Sequence, residues 1–491
     1  MSALSSLARL QAVAAGIAQP LATVRHCHVS DAPLVLVPLK LAGEAAAPLA
    51  VMLGSDPGDP SLLVVPQPRN RDLRFAFAAS LAKLVLNHIE TSRGAVEELP
   101  PGKEGEERIR YGDAPQLLVP NRGGVAFLRM MGRSTRFRST EGPYAVEPAV
   151  PVLGRWLTWF ADRHDHPGSS LMGAVTELLR LHWATGQSSL EDGNLAALTG
   201  WIDPPAGLDG PAAAARAEDP VVWPPAGPTT DPTFDNEVLA PAIAGYDRSG
   251  GDSRAGERLH AAIAGQLTPT WDLMWRAVGL LRALPEGASV PRRWERDRDA
   301  FTYYHQTFGE AYPQARRDPP VRAARRLHDL ERAQDAYDAQ RAFDDPLVMA
   351  EHRLSGQAFG GTVTECDPAR LDETGKRPKL RPLLRVATRD PVRLDAGATV
   401  CSADRPALKG RIVELDDDGG VVLELTGGMG RKLVPEAGVV PEVGDRVCFT
   451  SLTEGSFGAA KFPDREDTPW THGGPPGEYV PTDEDAEEDW S

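Results

Sequence analysis

The sequence is poor in cysteine and has no long apolar run, and each shortage removes a class of protein. Only four cysteines occur in 491 residues, Cys27, Cys366, Cys401 and Cys448, far apart and without a C-x-x-C pair. That spacing excludes the disulfide framework of a small secreted domain and fits a reduced, cytoplasmic protein. No stretch approaches 18 uninterrupted apolar residues, so no membrane span and no membrane partner are expected. The opening residues, Met1 to Ala22, carry Leu4, Leu7, Leu10, Val13 and Ile17 at helical spacing. They lack the basic start and apolar run of a signal peptide.

Motifs for common chemistries are missing too. No G-x-x-x-x-G-K-[ST] loop is present, and Gly427-Gly428-Met429-Gly430-Arg431-Lys432 has the composition of a phosphate loop without its spacing or its helix. A turn in a β-structure explains it better. There is no G-x-S-x-G elbow, and Gly168-Ser169-Ser170 reads as a helix start. Asp56, Asp59 and Asp72 have no Glu-x-Lys to complete a nuclease site, and they lie in or beside Gly/Pro loops where aspartate serves turns. No cofactor and no catalytic residue are expected.

What is present is an uneven charge. The net charge is −16, yet the last fourteen residues hold seven acids and no base. Elsewhere acids and bases nearly balance, so the global charge does not argue against binding a polyanion. With 41% hydrophobic and 25% charged residues, the length suits about three domains.

The element pattern is multidomain α+β. Residues 1–150 read as an α/β domain, with strands Leu34 to Leu41, Leu49 to Leu53, Leu62 to Val65, Gln116 to Val119 and Val125 to Met131, and a helix Asp72 to Ile89. Residues 151–359 read as mainly helical: Val152 to Asp162, Leu171 to Trp183, Ala261 to Leu284 with a new segment starting at Pro269, and Arg322 to Arg341. Eight prolines between Ile202 and Phe234 mark a loop or linker. Asp345 and Pro346 are an N-cap and first-turn pair for a helix Leu347 to Leu354.

After Gly360-Gly361 the apolar period becomes two. Strands Leu383 to Ala387, Lys409 to Leu415, Val421 to Leu425 and Arg446 to Thr450, with a turn at Asp416 to Gly420, predict a small β-barrel over 360–455. Residues 463–491 read as a disordered acidic tail.

Two histidine clusters could hold a metal: His26-Cys27-His28, and His164-Asp165-His166. Neither has a complete ligand set at standard spacing, and cations also favour the helix end at Asp162. A metal-dependent hydrolase or nuclease with its site in the N-terminal half is therefore the alternative reading, and a scaffold subunit of a protein assembly is a third.

The basic and aromatic segments carry the leading reading. Arg122, Arg129, Arg133, Arg136 and Arg138 fall in Ala114 to Thr140 without an acid, and Lys376, Arg377, Lys379, Arg381, Arg385 and Arg389 do so in Thr374 to Arg389. Such stretches can follow a phosphate backbone, although a solvated face or a dock for the acidic tail explains them equally well. Between Arg292 and Arg326 bases alternate with rings, as single-strand binding requires. Phe301, Tyr304 and Phe308, spaced three and four apart, read as core; Trp294 and Tyr303 are the expected stacking groups, with Arg316 and Arg317 beside them.

Residues 345 to 455, with Arg381-Pro382-Leu383-Leu384-Arg385-Val386, Lys409-Gly410-Arg411-Ile412-Val413-Glu414 and Val443-Gly444-Asp445-Arg446-Val447, resemble the accessory β-barrel of superfamily-one helicases. The motor motifs are absent. The end of the chain, Asp483 to Ser491 with Trp490, resembles the acidic tip of bacterial single-stranded-DNA-binding proteins, with Ser in place of their terminal aromatic. These resemblances imply a non-catalytic accessory protein that binds nucleic acid, DNA before RNA, and works with a separate helicase or nuclease, recruited through the tail. Trp294, Tyr303, Arg316, Arg317, Arg377, Lys379, Arg381 and Arg385 are the expected nucleic-acid contacts.

Overall fold

The computed structural model describes residues 3–44, 46–101, 107–309, 318, 320–375, 377–416, 419–430, 432–435, 438–455, 480 and 482. The expected tail, 463–491, lies outside these except for Val480 and Thr482. The fold is mixed α and β, and the chain divides into two compact units. One holds most of residues 8–328, and the other holds residues 329–455 with two short N-terminal pieces. The helix α1, Ala3–Ala15, forms from the opening residues, but it buries Ala8 and Ala12 while Leu7, Leu10 and Val13 remain exposed. No described helix is long and apolar enough to cross a membrane.

The larger unit is built on a sheet. Strands β1 (Leu34–Lys40), β2 (Pro48–Gly54) and β3 (Ser61–Val64) form an antiparallel meander, and α2 (Arg71–Thr91) follows. After it come β4 (Leu117–Val119), α3 (Arg122–Thr135), α4 (Ala149–His164), β5 (Met172–Ala174), α5 (Val175–Arg180), α6 (Ser253–Ala283) and α7 (Val290–Thr307). The sheet order is β3-β2-β1-β4-β5, with β4 parallel to both β1 and β5.

Alternation along β1 supplies both cores, because successive strand residues point to opposite faces. Leu34 and Leu36 join Phe77, Leu81, Leu128, Trp156, Phe160 and Phe301 on one face; Val35, Val37 and Leu39 join Val175, Leu179, Trp271, Met274 and Leu281 on the other. The strands are apolar throughout because helices cover both faces. This corrects the expected boundary at residue 150. The helices and β5 from 151–307 cannot close a core without the sheet, and the face of the sheet opposite α2 and α3 has no helical cover without them.

Other expectations change for local reasons. Val125 to Met131 is not a strand but the middle of α3, which starts where the Asn121 side chain accepts from the Gly124 N–H. Its buried residues, Gly124, Val125, Phe127, Leu128, Met131, Gly132 and Thr135, follow a helical period. Glycine makes the α3–α4 packing possible: a Cβ on Gly154 would lie 2.4 Å from the Arg136 nitrogen, and one on Gly132 2.8 Å from the Thr158 nitrogen. Asn121→Ala is expected to lower stability by about 1 kcal/mol, read from the urea midpoint.

The helix expected over Leu171 to Trp183 is β5 followed by the short α5. Pro269 does not start a new segment, since α6 runs through it. The proline-rich stretch 202–234 is packed rather than a free linker. It contains a helix, Gly210–Ala217, capped by Asp209, and it seals the carboxyl ends of β1 and β4. There the Lys40 N–H donates to the Pro228 carbonyl at 2.8 Å and Asn121 Nδ2 donates to the Gly227 carbonyl at 2.8 Å.

The helix α8 (Pro320–Asp344) leads into the smaller unit. There α9 (Pro346–Ser355) begins as expected, with Asp345 accepting from the Leu347 N–H and Pro346 in the first turn. Six strands then close a barrel: β6 (Ala358–Asp367), β7 (Leu383–Thr388), β8 (Thr399–Ser402), β9 (Lys409–Leu415), β10 (Gly420–Gly427) and β11 (Arg446–Thr450), in the order β6-β7-β10-β9-β8-β11 with β6 pairing β11. Phe359, Val363, Leu384, Val386, Ile412, Leu423, Leu425 and Phe449 fill it. The β9–β10 turn is closed by Asp416 and Gly419, whose φ of 85° suits glycine.

Candidate nucleic-acid interface

The antiparallel ladder β6–β7 carries one cation, Arg385, along its length and has others near its two ends. Inward residues of β7, Leu384 and Val386, hold the core, so Arg385 between them must point out. Register places Gly361 opposite Thr388 at one end of the ladder and Asp367 opposite Leu383 at the other. Six residues at about 3.3 Å each separate those ends by about 20 Å.

A groove of about 670 Å³ occupies the first end. Gly360 and Gly361 form its floor, and Arg353, Arg389 and Arg446 stand around it with Asp390 and Asp404. Gly361 is required by close approach, and Gly360 lies tight under a side chain. A Cβ on Gly360 would meet the Arg353 guanidinium at 3.1 Å, and one on Gly361 would meet the Ala387 carbonyl at 2.3 Å. Arg353 lies across the strand and pairs with both Asp390 oxygens, at 2.6 and 3.0 Å, while the Gly360 N–H donates to the same carboxylate at 2.7 Å. Arg389 and Arg446 are exposed and form no ion pair among the described residues.

Burial alone would raise the Asp390 carboxyl, but the bonds from Arg353 and Gly360 and the arginine charge hold it below its ordinary 3.8. A carboxylate depressed in this way stabilises the fold fully above that value and loses the contribution as pH falls through the folded value. Acidification below 3.8 is therefore expected to release Arg353 from β6, and Asp390→Asn to flatten that limb of the pH–stability curve. Thermal unfolding from pH 6 downward, about half a unit per step, checks this.

The expected contacts separate sharply. Arg377 and Lys379 are exposed beyond the far end of the ladder, on a small hairpin that pairs Leu371–Asp372 with Lys379–Leu380, and have no ion pair among the described residues. Arg381 is turned onto its own barrel, donating to the Leu380 and Thr426 carbonyls. Arg385 points outward, but its charge is met by Asp416 at 2.5 Å and Glu365 at 3.5 Å. Arg316, Arg317 and Lys376 lie outside the described residues.

Trp294 is corrected. It is 7% exposed, stacks on His28 at 4.0 Å between ring centres, and donates its indole N–H to Asp113 at 2.9 Å. A ring held this way is core, not a stacking platform. Tyr303, by contrast, is 70% exposed. Phe301, Tyr304 and Phe308 pack with Trp156 and Trp159, as their spacing predicts.

The histidine clusters are occupied with other work. His164 directs Nδ1 at the Met172 carbonyl and Nε2 at Glu177, 3.2 Å each; Asp165 binds Arg129 at 2.7 Å. Burial lowers His166 to about 4, so it is neutral at ordinary pH. Burial likewise lowers His28 against the pull of Asp113 and Glu286. Among the described residues no group of three or more His, Cys, Asp or Glu side chains is placed to hold a metal ion.

Sequence reasoning missed Arg446 and Arg353 as part of one groove. The signal would have been Gly360-Gly361, which reads as a break between elements and is the flat part of a strand. No protein-family model, no curated protein and no solved structure matches the chain.

Proposed function

We propose that this protein is a non-catalytic nucleic-acid-binding protein whose barrel holds a single strand along β6–β7. The observation that supports it is the set of exposed cations at the two ends of that ladder: Arg389 and Arg446 at the groove, Arg377 and Lys379 beyond the other end, with no carboxylate paired to them among the described residues. A span of about 20 Å between positive sites suits a backbone that carries charge at regular intervals. In this reading the protein is accessory to a separate helicase or nuclease, and the acidic end of the sequence recruits that enzyme.

Fluorescence anisotropy with labelled single-stranded DNA, duplex DNA and RNA, at about 50 and 200 mM salt, tests it. The expected result is binding that favours single strands and weakens steeply with salt. Absence of binding, or binding indifferent to salt, overturns the proposal.

A further inference from the structure

A second cationic site lies in the larger unit, on the sheet side covered by α2 and α3. A cavity of about 200 Å³ opens where the first turn of α2 meets the end of α3. Four arginines line it, Arg69, Arg71, Arg74 and Arg138, around an apolar ledge formed by Phe75, Ala78 and Met131.

Three of these guanidinium groups are held by main-chain oxygens. Arg71 donates to the Tyr144 carbonyl at 2.6 Å, Arg74 to the Pro68 carbonyl, and Arg138 to the Ser134 carbonyl at 2.9 Å. Arg71 and Arg138 also converge on one ring, with their guanidinium carbons 4.6 and 5.4 Å from the Phe75 centre. Carbonyls fix a cation in place without cancelling its charge. Among the described residues Glu44 serves Arg69 at 3.2 Å and Arg74 at 2.7 Å, and Asp72, paired to Arg71 at 3.1 Å, is largely in water.

Gathering like charges in a concavity is costly unless an anion enters it. Guanidinium forks suit a phosphate, which they can hold through paired N–H donors. The ledge adds room for an apolar body. The volume is below the usual range for a drug-sized ligand, so the open cavity suits a single nucleotide unit rather than an extended chain.

We propose that this cavity is a phosphomonoester site, taking a nucleoside 5′-phosphate with its phosphate on Arg71 and Arg138 and its ring on the Phe75–Met131 ledge. The ligand is a free nucleotide or the 5′-phosphate end of a strand, since both present the same group. The proposal does not rest on the barrel reading. Arg389→Gln with Arg446→Gln removes barrel cations and leaves this site intact.

Calorimetric titration of the full chain with adenosine 5′-monophosphate, adenosine and inorganic phosphate tests it. The nucleotide is expected to bind more tightly than either part. Arg71→Gln with Arg138→Gln should weaken it by about tenfold or more, as the loss of charge-assisted bonds requires. Glu44→Gln should act in the opposite direction, tightening binding by releasing Arg69 and Arg74; a merely structural ion pair gives no such gain. Trinucleotides with and without a 5′-phosphate identify the source, a phosphate-dependent gain assigning strand ends and equal affinity assigning the free nucleotide. No nucleotide binding at millimolar concentration overturns the proposal. So does binding unchanged by Arg71→Gln with Arg138→Gln, or affinity for inorganic phosphate equal to that for the nucleotide.

Discussion

Neutralising Arg377, Lys379, Arg389 and Arg446 together to glutamine is expected to remove most of the salt-dependent affinity for single strands. Each phosphate contact on a single strand adds about −0.7 to the slope of log affinity against log salt, so four contribute nearly −3. Between about 50 and 200 mM salt that slope corresponds to about a 50-fold loss, which the quadruple variant should no longer show. The four side chains are exposed and form no ion pair among the described residues, so the fold should tolerate their loss. Arg385→Gln is the internal comparison. Its charge is met by Asp416 and Glu365, and its removal should change the slope little. A quadruple variant that keeps the parent slope places the binding surface elsewhere.

The largest effect on stability is expected from Asp297→Ala. Asp297 is buried on α7 and accepts from Ser170 N–H at 2.6 Å, Ser169 hydroxyl at 2.7 Å and Arg163 at 3.1 Å, so one carboxylate ties α7 to α4 and to the residues before β5. Removing it leaves a mostly buried guanidinium and a buried N–H without their acceptor, a loss of about 3–5 kcal/mol. Urea unfolding measures it. Asp297→Asn keeps an acceptor for the Ser170 N–H and should lose clearly less.

The pH dependence at this residue has its own sign. Burial raises the Asp297 carboxyl above 3.8 despite the opposing influence of Arg163, Ser170 and Ser169. The folded state therefore holds this proton more tightly than the unfolded one. Stability contributed by the group falls as pH rises from 3.8 to the raised value and is level beyond it. The difference between parent and Asp297→Asn midpoints should follow that course, opposite to the course expected for Asp390.

The cores of both units rest on residues whose periodicity is strong. Alternation in Leu383 to Ala387 and Lys409 to Leu415 could hardly be anything but strand, and β7 and β9 lie there. Asp345-Pro346 starts α9 because the capping oxygen and the preset proline φ act within three residues. Glycine was the obstacle elsewhere. In α3 the apolar run Val125 to Met131 reads as a strand, and the glycines beside it, Gly123 and Gly132, are places where a neighbouring element comes too close for a Cβ. In β6 Gly360 and Gly361 mark the point where the apolar period changes, and they lie inside the strand, with Gly361 too close to the Ala387 carbonyl for a Cβ.

The candidate sites were legible only in part. Arg377 and Lys379 could be picked out as a basic run, but the same run contains Arg381 and Arg385, which the barrel keeps for its own carbonyls and carboxylates. Trp294, set among Arg292, Arg293, Arg296 and Arg298, has the sequence of a surface ring and the position of a core one.

Local chemistry thus determined the α+β class, the barrel, the start of α9 and the supply of cations, because caps, turns and apolar periods act over a few residues. Tertiary structure alone decided that 151–307 completes the N-terminal sheet, which glycines are contact points, and which arginines keep their charge exposed. Those outcomes depend on partners brought from far along the chain: β5 beside β4, Gly154 against Arg136, Asp416 onto Arg385. A charged side chain carries no mark in the sequence of whether a distant carboxylate will reach it.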